Sequence, residues 1–443
     1  MVLVMFNFFF PELTNLIKYE KENFILEENK FSRNREMSFE DHVYYIWVNK
    51  GKTAVLEIDD YYYEKYGVDK LPVSKQAISK QRQYLDPLIF KEANKRSIEK
   101  IYSSNRYTLK DFKGHMVIGI DGSQADIPNT PITKEEFEVE PRGMKDPDSP
   151  KARMSVLSDL KNDFVIDSII SPFKIGESQL AFKHIENVSE TIDLTKTIII
   201  YDRAYASTEL IMQLLEKNSK FIFRLKKTHY KKERANMKSD DEFVDINLNA
   251  SRIANIKDDD LKEKAKETDF LNVRIVNIEI KPGVIETLLT NIPENLASTE
   301  ELKELYGERW EIEMHYNVMK NRLDIENFSG KKLIIIEQDF YSQILTYNML
   351  VGLKTEYNKK LEESGEYPNY KYEYKFNINI LAGKLKTNAI RMVFAENLEE
   401  IEKIEQRMYI SAKRYLRKVT EKPTTKRKKK PKRKYPYNNR KNF

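Results

Sequence analysis

Two short stretches constrain the fold more than any others. HMVIGIDGS (115–123) and TKTIIIYDRAYAS (195–207) each carry a run of consecutive apolar residues bounded by turn-forming types, the pattern of a buried strand, and each run ends on an aspartate, Asp121 or Asp202. Between them, ARMSVLSDLKNDFVIDSIISPF reads as a hairpin, with strands near 152–158 and 164–170 and a turn at Lys161-Asn162, and GESQLAFKHIENVSETI reads as a helix. Beyond the second aspartate, Ser207 is suited to cap the helix TELIMQLLEKN, and FIFRLKK (221–227) is a further strand.

The resulting order is three strands, helix, strand, helix, strand. That is the order of a ribonuclease-H-like mixed sheet, so an α/β fold is expected with the first half of the core at 106–227. A β-rich insertion is expected over 228–290, where LNVRIVNIEI and VIETLLTNI flank Lys281-Pro282-Gly283. The second half of the core, 291–357, opens with Ser298-x-x-Glu301, a capping box, and continues into the apolar helix at 339–357. A chain of 443 residues exceeds one ordinary core, and helical regions are expected on both sides, at 1–105 and 358–421, with a Tyr-rich connector at 367–376.

Charge is distributed unevenly. The net charge is +6, yet the last 22 residues (422–443) hold eleven Lys or Arg and no acid, which leaves −5 for the rest. A basic, disordered tail on a mildly acidic body suits a polyanion such as nucleic acid. Near the other end, LPVSKQAISKQRQYLDPLIFKEANKRSIEKIY places Ser74 and Pro87 at the starts of two amphipathic runs. The pair resembles a helix-turn-helix, with Lys75, Lys80 and Arg82 as candidate DNA contacts. There is no cysteine, which excludes disulfides and thiolate metal sites, and the five histidines show no zinc-type spacing. The apolar start, MVLVMFNFFFPELTNL, is ended early by Pro11 and Glu12 and reads as a packed first helix. No segment reaches membrane-spanning length. The expectation is a bacterial cytoplasmic, nucleoid-associated protein with no membrane partner.

The stretch YGERWEIEMHYNVMK (306–320) sets Tyr306, Arg309, Glu313 and Lys320 within an arc of about 60° on an ideal helix. Beside it runs an apolar stripe of Leu305, Ile312, Tyr316, Met319 and Leu323. A helix docked by that stripe would hold a carboxylate flanked by two cations and a phenol. With Asp121 and Asp202 at strand ends, Glu313 would complete three carboxylates able to hold one or two Mg²⁺ or Mn²⁺ ions. Such ions can activate an attacking oxygen and stabilise a leaving one.

Tyr306-x2-Arg309-x3-Glu313-x6-Lys320 resembles the Y-R-E-K pattern of bacterial insertion-sequence transposases of the DDE type, which themselves resemble the cut-and-paste transposase of the kanamycin-resistance transposon. IDGSQADIPNT looks like that family's first-aspartate motif and IIIYDRAYAS like its second, and VSKQAISKQRQYL is similar to the segment preceding its core. The resemblance spans most of residues 70–355. It implies Asp121, Asp202 and Glu313 as metal ligands, and Tyr306, Arg309, Lys320, Arg203 and Arg224 as DNA contacts. It further implies double-stranded DNA, both element ends and target, as partner, and a homodimer in the synaptic complex. One departure is that the insertion has no Trp to stack on a flipped base, only Tyr230, Phe243 and Phe270, which leaves a hairpin intermediate in doubt. Competing expectations are a metal-dependent nuclease without strand transfer, and a domesticated or inactive transposase acting as a DNA-binding regulator. An RNA-binding role has only charge behind it.

Overall fold

The computed structural model describes residues 8–33, 35–104, 108–137, 150–365 and 372–419, arranged as two compact units. The basic tail, the first seven residues and half of the Tyr-rich connector (367–371) lie outside the described residues. The chain builds one unit from 1–103, 125–152 and 317–443, and the other from 104–124 and 153–316.

The second unit is organised by one eight-stranded mixed sheet. Its strands are β1 (Met116–Asp126), β2 (Lys151–Asp159), β3 (Val165–Pro172), β4 (Thr197–Tyr201), β5 (Lys220–Arg224), β6 (Asp241–Asn247), β7 (Phe270–Lys281) and β8 (Val284–Thr290). They lie in the order β3-β2-β1-β4-β5-β8-β7-β6. β1, β4 and β5 are parallel, with Ile120 opposite Tyr201 and Tyr201 opposite Phe223. This is the expected ribonuclease-H-like α/β core. β4 is buried at every position, as continuous apolar runs in parallel strands require. The helices Glu177–Val188 and Thr208–Glu216 flank the sheet, the latter capped by the Ser207 side chain on the Leu210 N–H.

Two expectations change here. β1 does not turn at Gly122-Ser123 but continues to Asp126, because it keeps β2 as its neighbour after β4 has ended. The stretch 228–290 is not a separate β module either. β8 pairs antiparallel with β5 (Phe223 opposite Leu289), so β6, β7 and β8 extend the core sheet. The β7–β8 hairpin turns at Gly283, whose φ of +77° suits glycine. β6 lies within the polar stretch, and the buried Arg274 of β7 explains its placement. That guanidinium is 1% exposed and makes two 2.6 Å bonds to Asp241, the first residue of β6. The Ser298–Glu301 capping box is present, but the long helix it opens divides at Arg309 into Thr299–Glu308 and Trp310–Asn321. Tighter i→i−3 bonds at the junction, from Arg309 N–H to Tyr306 O and from Ile312 N–H to Arg309 O (both 3.2 Å), mark the break.

The first unit is helical. Its centre is the 31-residue helix Leu333–Glu363, about 46 Å long at 1.5 Å per residue. It is buried on most sides, packed by Leu88–Ser103, Phe39–Trp47 and Ile378–Val393. The packed first helix is present as Phe10–Tyr19, with Leu13, Leu16 and Ile17 buried, and Pro11 occupies its first turn, where its missing N–H costs nothing. The helix-turn-helix expectation also changes. Ser74 caps Lys75–Gln81 through the Ala77 N–H, and Lys75 and Lys80 are exposed. The second helix, Leu88–Ser103, is a core element with Ile89, Phe90, Ala93, Ile98 and Ile101 buried. Arg82 is 4% exposed, and its guanidinium bonds Gln338 Oε1 (2.8 Å), Ser329 Oγ (2.8 Å) and Asp339 Oδ1 (3.0 Å). The DNA contact expected of Arg82 is thus replaced by an internal network, because its donors face the central helix. Lys320 belongs to this unit, with its ammonium 2.9 Å from Glu326 Oε1.

Candidate active site

Strand register brings the two aspartates together. Ile120 and Tyr201 are partners in the parallel β1/β4 pair, and Asp121 and Asp202 are the next residue on each chain. Two carboxylates at the same level of adjacent parallel strands are close neighbours.

Glu313 arrives on the Trp310–Asn321 helix, whose approach depends on Gly119. A Cβ at Gly119 would overlap the Ile312 Cδ1 methyl and lie 2.9 Å from Leu160 Cδ2, so glycine lets the residue before Glu313 rest on β1. Tyr316, 7% exposed, fixes the next turn: its hydroxyl is 3.0 Å from the Asp121 carbonyl and 3.1 Å from that of Met154. Spacing alone places Tyr316 in the apolar stripe, whereas its hydroxyl anchors the helix beside Asp121.

Arg309 ties the acids together. Its Nη2 is 3.4 Å from Glu313 Oε1, and the residue is 9% exposed. Burial works against its charge, but Tyr306, Asp202, Asp121 and Glu313 around it outweigh burial and raise its pKa. Asp121 is pushed up to about 6. Burial is the main cause, Glu177 and Asp202 add repulsion, and the Gly122 N–H (2.9 Å) and Arg309 oppose the shift. Tyr306 is 8% exposed, and burial raises its phenol. Arg224 stands between two acids, 3.8 Å from Asp202 Oδ1 and paired with Glu286.

Several polar atoms here are buried without a hydrogen-bond partner: Asp202 Oδ1, Tyr205 Oη, Tyr306 Oη, Arg153 Nε and Arg309 Nε. Such atoms are few in folded proteins, and a cluster of them marks a place made for water, an ion or a polar ligand. The donor chemistry suits a hard divalent cation, since the carboxylates are oxygen ligands, the buried Asp202 Oδ1 lacks a hydrogen-bond partner, and Asp121 is destabilised in its charged form. Among the described residues, no three acidic or imidazole side chains stand at metal-binding spacing. Glu313 faces Arg309.

Arg203 is exposed and, with Arg224, Lys226, Lys227, Lys231 and Arg234, lines a cleft of about 750 Å³ beside the site. Among its lining residues Glu286 is the one acid. Burial, then Lys226 and Arg234, lower the neighbouring His229. Of the aromatics considered for stacking, Tyr230 lies under the Arg252 guanidinium (5.2 Å), whereas Phe243 and Phe270 are half exposed.

Residues 112–349, more than half of the chain, match the family model described as the transposase DDE domain, and the chain belongs to that family. It is therefore a transposase, a DNA-binding and DNA-cleaving enzyme, and DDE transposases generally use divalent metal ions. No curated protein matches the chain. Among solved structures, it is similar to a piggyBac transposase, determined by cryo-electron microscopy as a synaptic complex with hairpin DNA. The identity is 11% and the TM-score 0.43, over 91% of this chain and 82% of that one. At that overlap the likeness assigns no residue a role. Among the described residues, no helix is long and apolar enough to cross a membrane.

Proposed function

We propose that the protein catalyses cut-and-paste transposition of an insertion sequence, cleaving the element's ends and joining them to a target. The observation that supports this best is the placement of Asp121 and Asp202 side by side by strand register, with Glu313 and Arg309 beside them. Asp121, Asp202 and Glu313 would hold one or two Mg²⁺ or Mn²⁺ ions, which when bound activate the attacking oxygen and stabilise the leaving one.

The chain's own residues do the rest. Burial first, and then the neighbouring acids, disfavour the charged form of Asp121, and a bound cation would offset that cost. Arg309, freed from Glu313, would neutralise charge on the scissile phosphate, and Tyr306 would donate its unpartnered hydroxyl to a phosphate oxygen. Arg203 and Arg224 would hold the strand in the basic cleft, and Lys320, Lys75 and Lys80 would contact DNA backbone, fixing register without reading sequence. Cut-and-paste chemistry requires two ends, so a homodimer forms on DNA.

The test uses a labelled duplex carrying the sequences that flank the gene, with Mg²⁺, comparing wild type with Glu313→Ala. Cleavage and joining by wild type alone would support the reading. Cleavage without joining would point to a nuclease. Binding without cutting by either would leave a DNA-binding regulator.

A further inference from the structure

The C-terminal helices carry an uncompensated positive charge. Ile378–Val393 contains Lys384, Lys386 and Arg391 and no acidic residue. Lys386 turns inward, where its ammonium meets the Leu323 carbonyl (2.9 Å) and Asp324 (3.8 Å), and Arg391 reaches Glu64 (3.2 Å). Lys384 has no acidic partner among the described residues, and neither has Arg407 on the next helix, Leu398–Lys413. By contrast, Lys403 of that helix lies 2.6 Å from Glu399, and Lys360 of the central helix is 3.2 Å from Glu405.

Lys384 and Arg407 line one groove between the two helices, about 410 Å³ in volume, together with Arg391 and with no acid among its lining residues. The hydroxyls of Thr387 and Ser411 in its wall donate back to carbonyls of their own helices, those of Gly383 (2.8 Å) and Met408 (3.2 Å). The donors left for a ligand are therefore chiefly an ammonium and a guanidinium, which select an anion. Cations that share a groove without a counter-ion repel one another, and an anion seated between them removes that cost. The groove is also open at its glycine: a Cβ built on Gly383 would meet nothing within 4 Å.

We propose that this groove holds the phosphate backbone of duplex DNA, as a contact surface of the helical unit additional to the cleft lined by Arg203. The inference rests on the DNA-binding reading given above and extends it to the C-terminal helices. The occupant follows from charge. The chain belongs to a DNA-cleaving family, and the groove's second helix leads in sequence into residues 422–443, with eleven Lys or Arg and no acid. Contacts of this kind hold DNA in place without reading its sequence.

The test measures affinity of the full-length protein for a labelled duplex of unrelated sequence over a series of salt concentrations, without divalent metal so that nothing is cut. Circular dichroism confirms the fold of each variant. Each phosphate contact contributes about 0.9 to the slope of log affinity against log salt, so Lys384→Gln/Arg407→Gln should lower that slope by about 2. Gly383→Glu and Gly383→Lys place opposite charges in the groove's open space, where a helix favours either residue over glycine. The first should lower the slope by about 1 and the second raise it by about 1. Equal losses in the two Gly383 variants would trace the effect to bulk rather than charge and overturn the proposal. Arg203→Gln/Lys227→Gln reports on the cleft. Slopes unchanged in all the groove variants but lowered in the cleft variant would overturn the groove and leave the DNA reading standing. Slopes unchanged in every variant would overturn groove and cleft together as DNA contacts.

Discussion

Replacing Gly119 by alanine tests how Glu313 is positioned. The added methyl would overlap Ile312 Cδ1 and sit 2.9 Å from Leu160 Cδ2, both in a packed core. Overpacking of this kind costs about 1–3 kcal/mol. Ile312→Val removes the overlapping atom and alone should cost about 0.5–1.5 kcal/mol. In the double variant the two changes should be less than additive by about 1 kcal/mol. Relief is partial, because the Leu160 contact persists and Ile312 Cγ1 is itself only 3.1 Å away. Urea unfolding of the four proteins gives the cycle. Because Ile312 precedes Glu313, the single Gly119→Ala variant should also lose up to about 100-fold in DNA cleavage, as small misplacements do, and Ile312→Val should restore part of it. Additive energies, or a Gly119→Ala protein as stable and active as wild type, would refute the claim that this glycine seats the helix.

Other parts of the fold make separate predictions. Asp241→Ala leaves the Arg274 guanidinium buried and unpaired and should cost about 3–5 kcal/mol in chemical denaturation, whereas Arg274→Met/Asp241→Ala should recover much of it. His184 is fully buried between Ser155 Oγ (2.9 Å) and Asp167 Oδ2 (2.8 Å), a serine–histidine–aspartate array closed to solvent. His184→Ala should therefore destabilise by about 2–4 kcal/mol without creating or abolishing esterase activity toward a chromogenic ester. Glu337 is raised to about 7, mainly by burial and then by Asp86 and Glu136. Its folded form keeps a proton that the unfolded chain loses near pH 4.5, so stability falls as pH rises from about 4.5 to 7. Glu337→Gln should flatten that slope and gain about 2 kcal/mol at pH 8, a figure reduced for partial exposure. A slope unchanged in the variant would show that Glu337 is not its source.

The site's acids were legible because their signals are local: an apolar run ending in aspartate, and a spaced pattern on a helix. The ribonuclease-H-like order was legible for the same reason. What escaped depends on tertiary company. Arg82 has the same composition around it as Lys80, and only the arrival of Gln338 and Asp339, some 256 residues later, turns it inward. β6 lies in a charged stretch with one core residue, Ile246, and is held at its start by the Asp241–Arg274 pair, which no periodicity encodes.

The way the chain is shared between the two units bears on its synthesis. The second unit lies wholly within residues 104–316, but the first needs Leu333–Glu363 to cover helices made from residues 10–103. At roughly 5–20 residues per second, Arg82 and the apolar faces of those early helices wait about ten to fifty seconds for their partners. During that interval the later unit can complete itself while the earlier one remains an open, sticky surface. Slower translation or a missing chaperone should therefore reduce yield through the N-terminal helices, and chains truncated before residue 333 should aggregate although their sheet is complete.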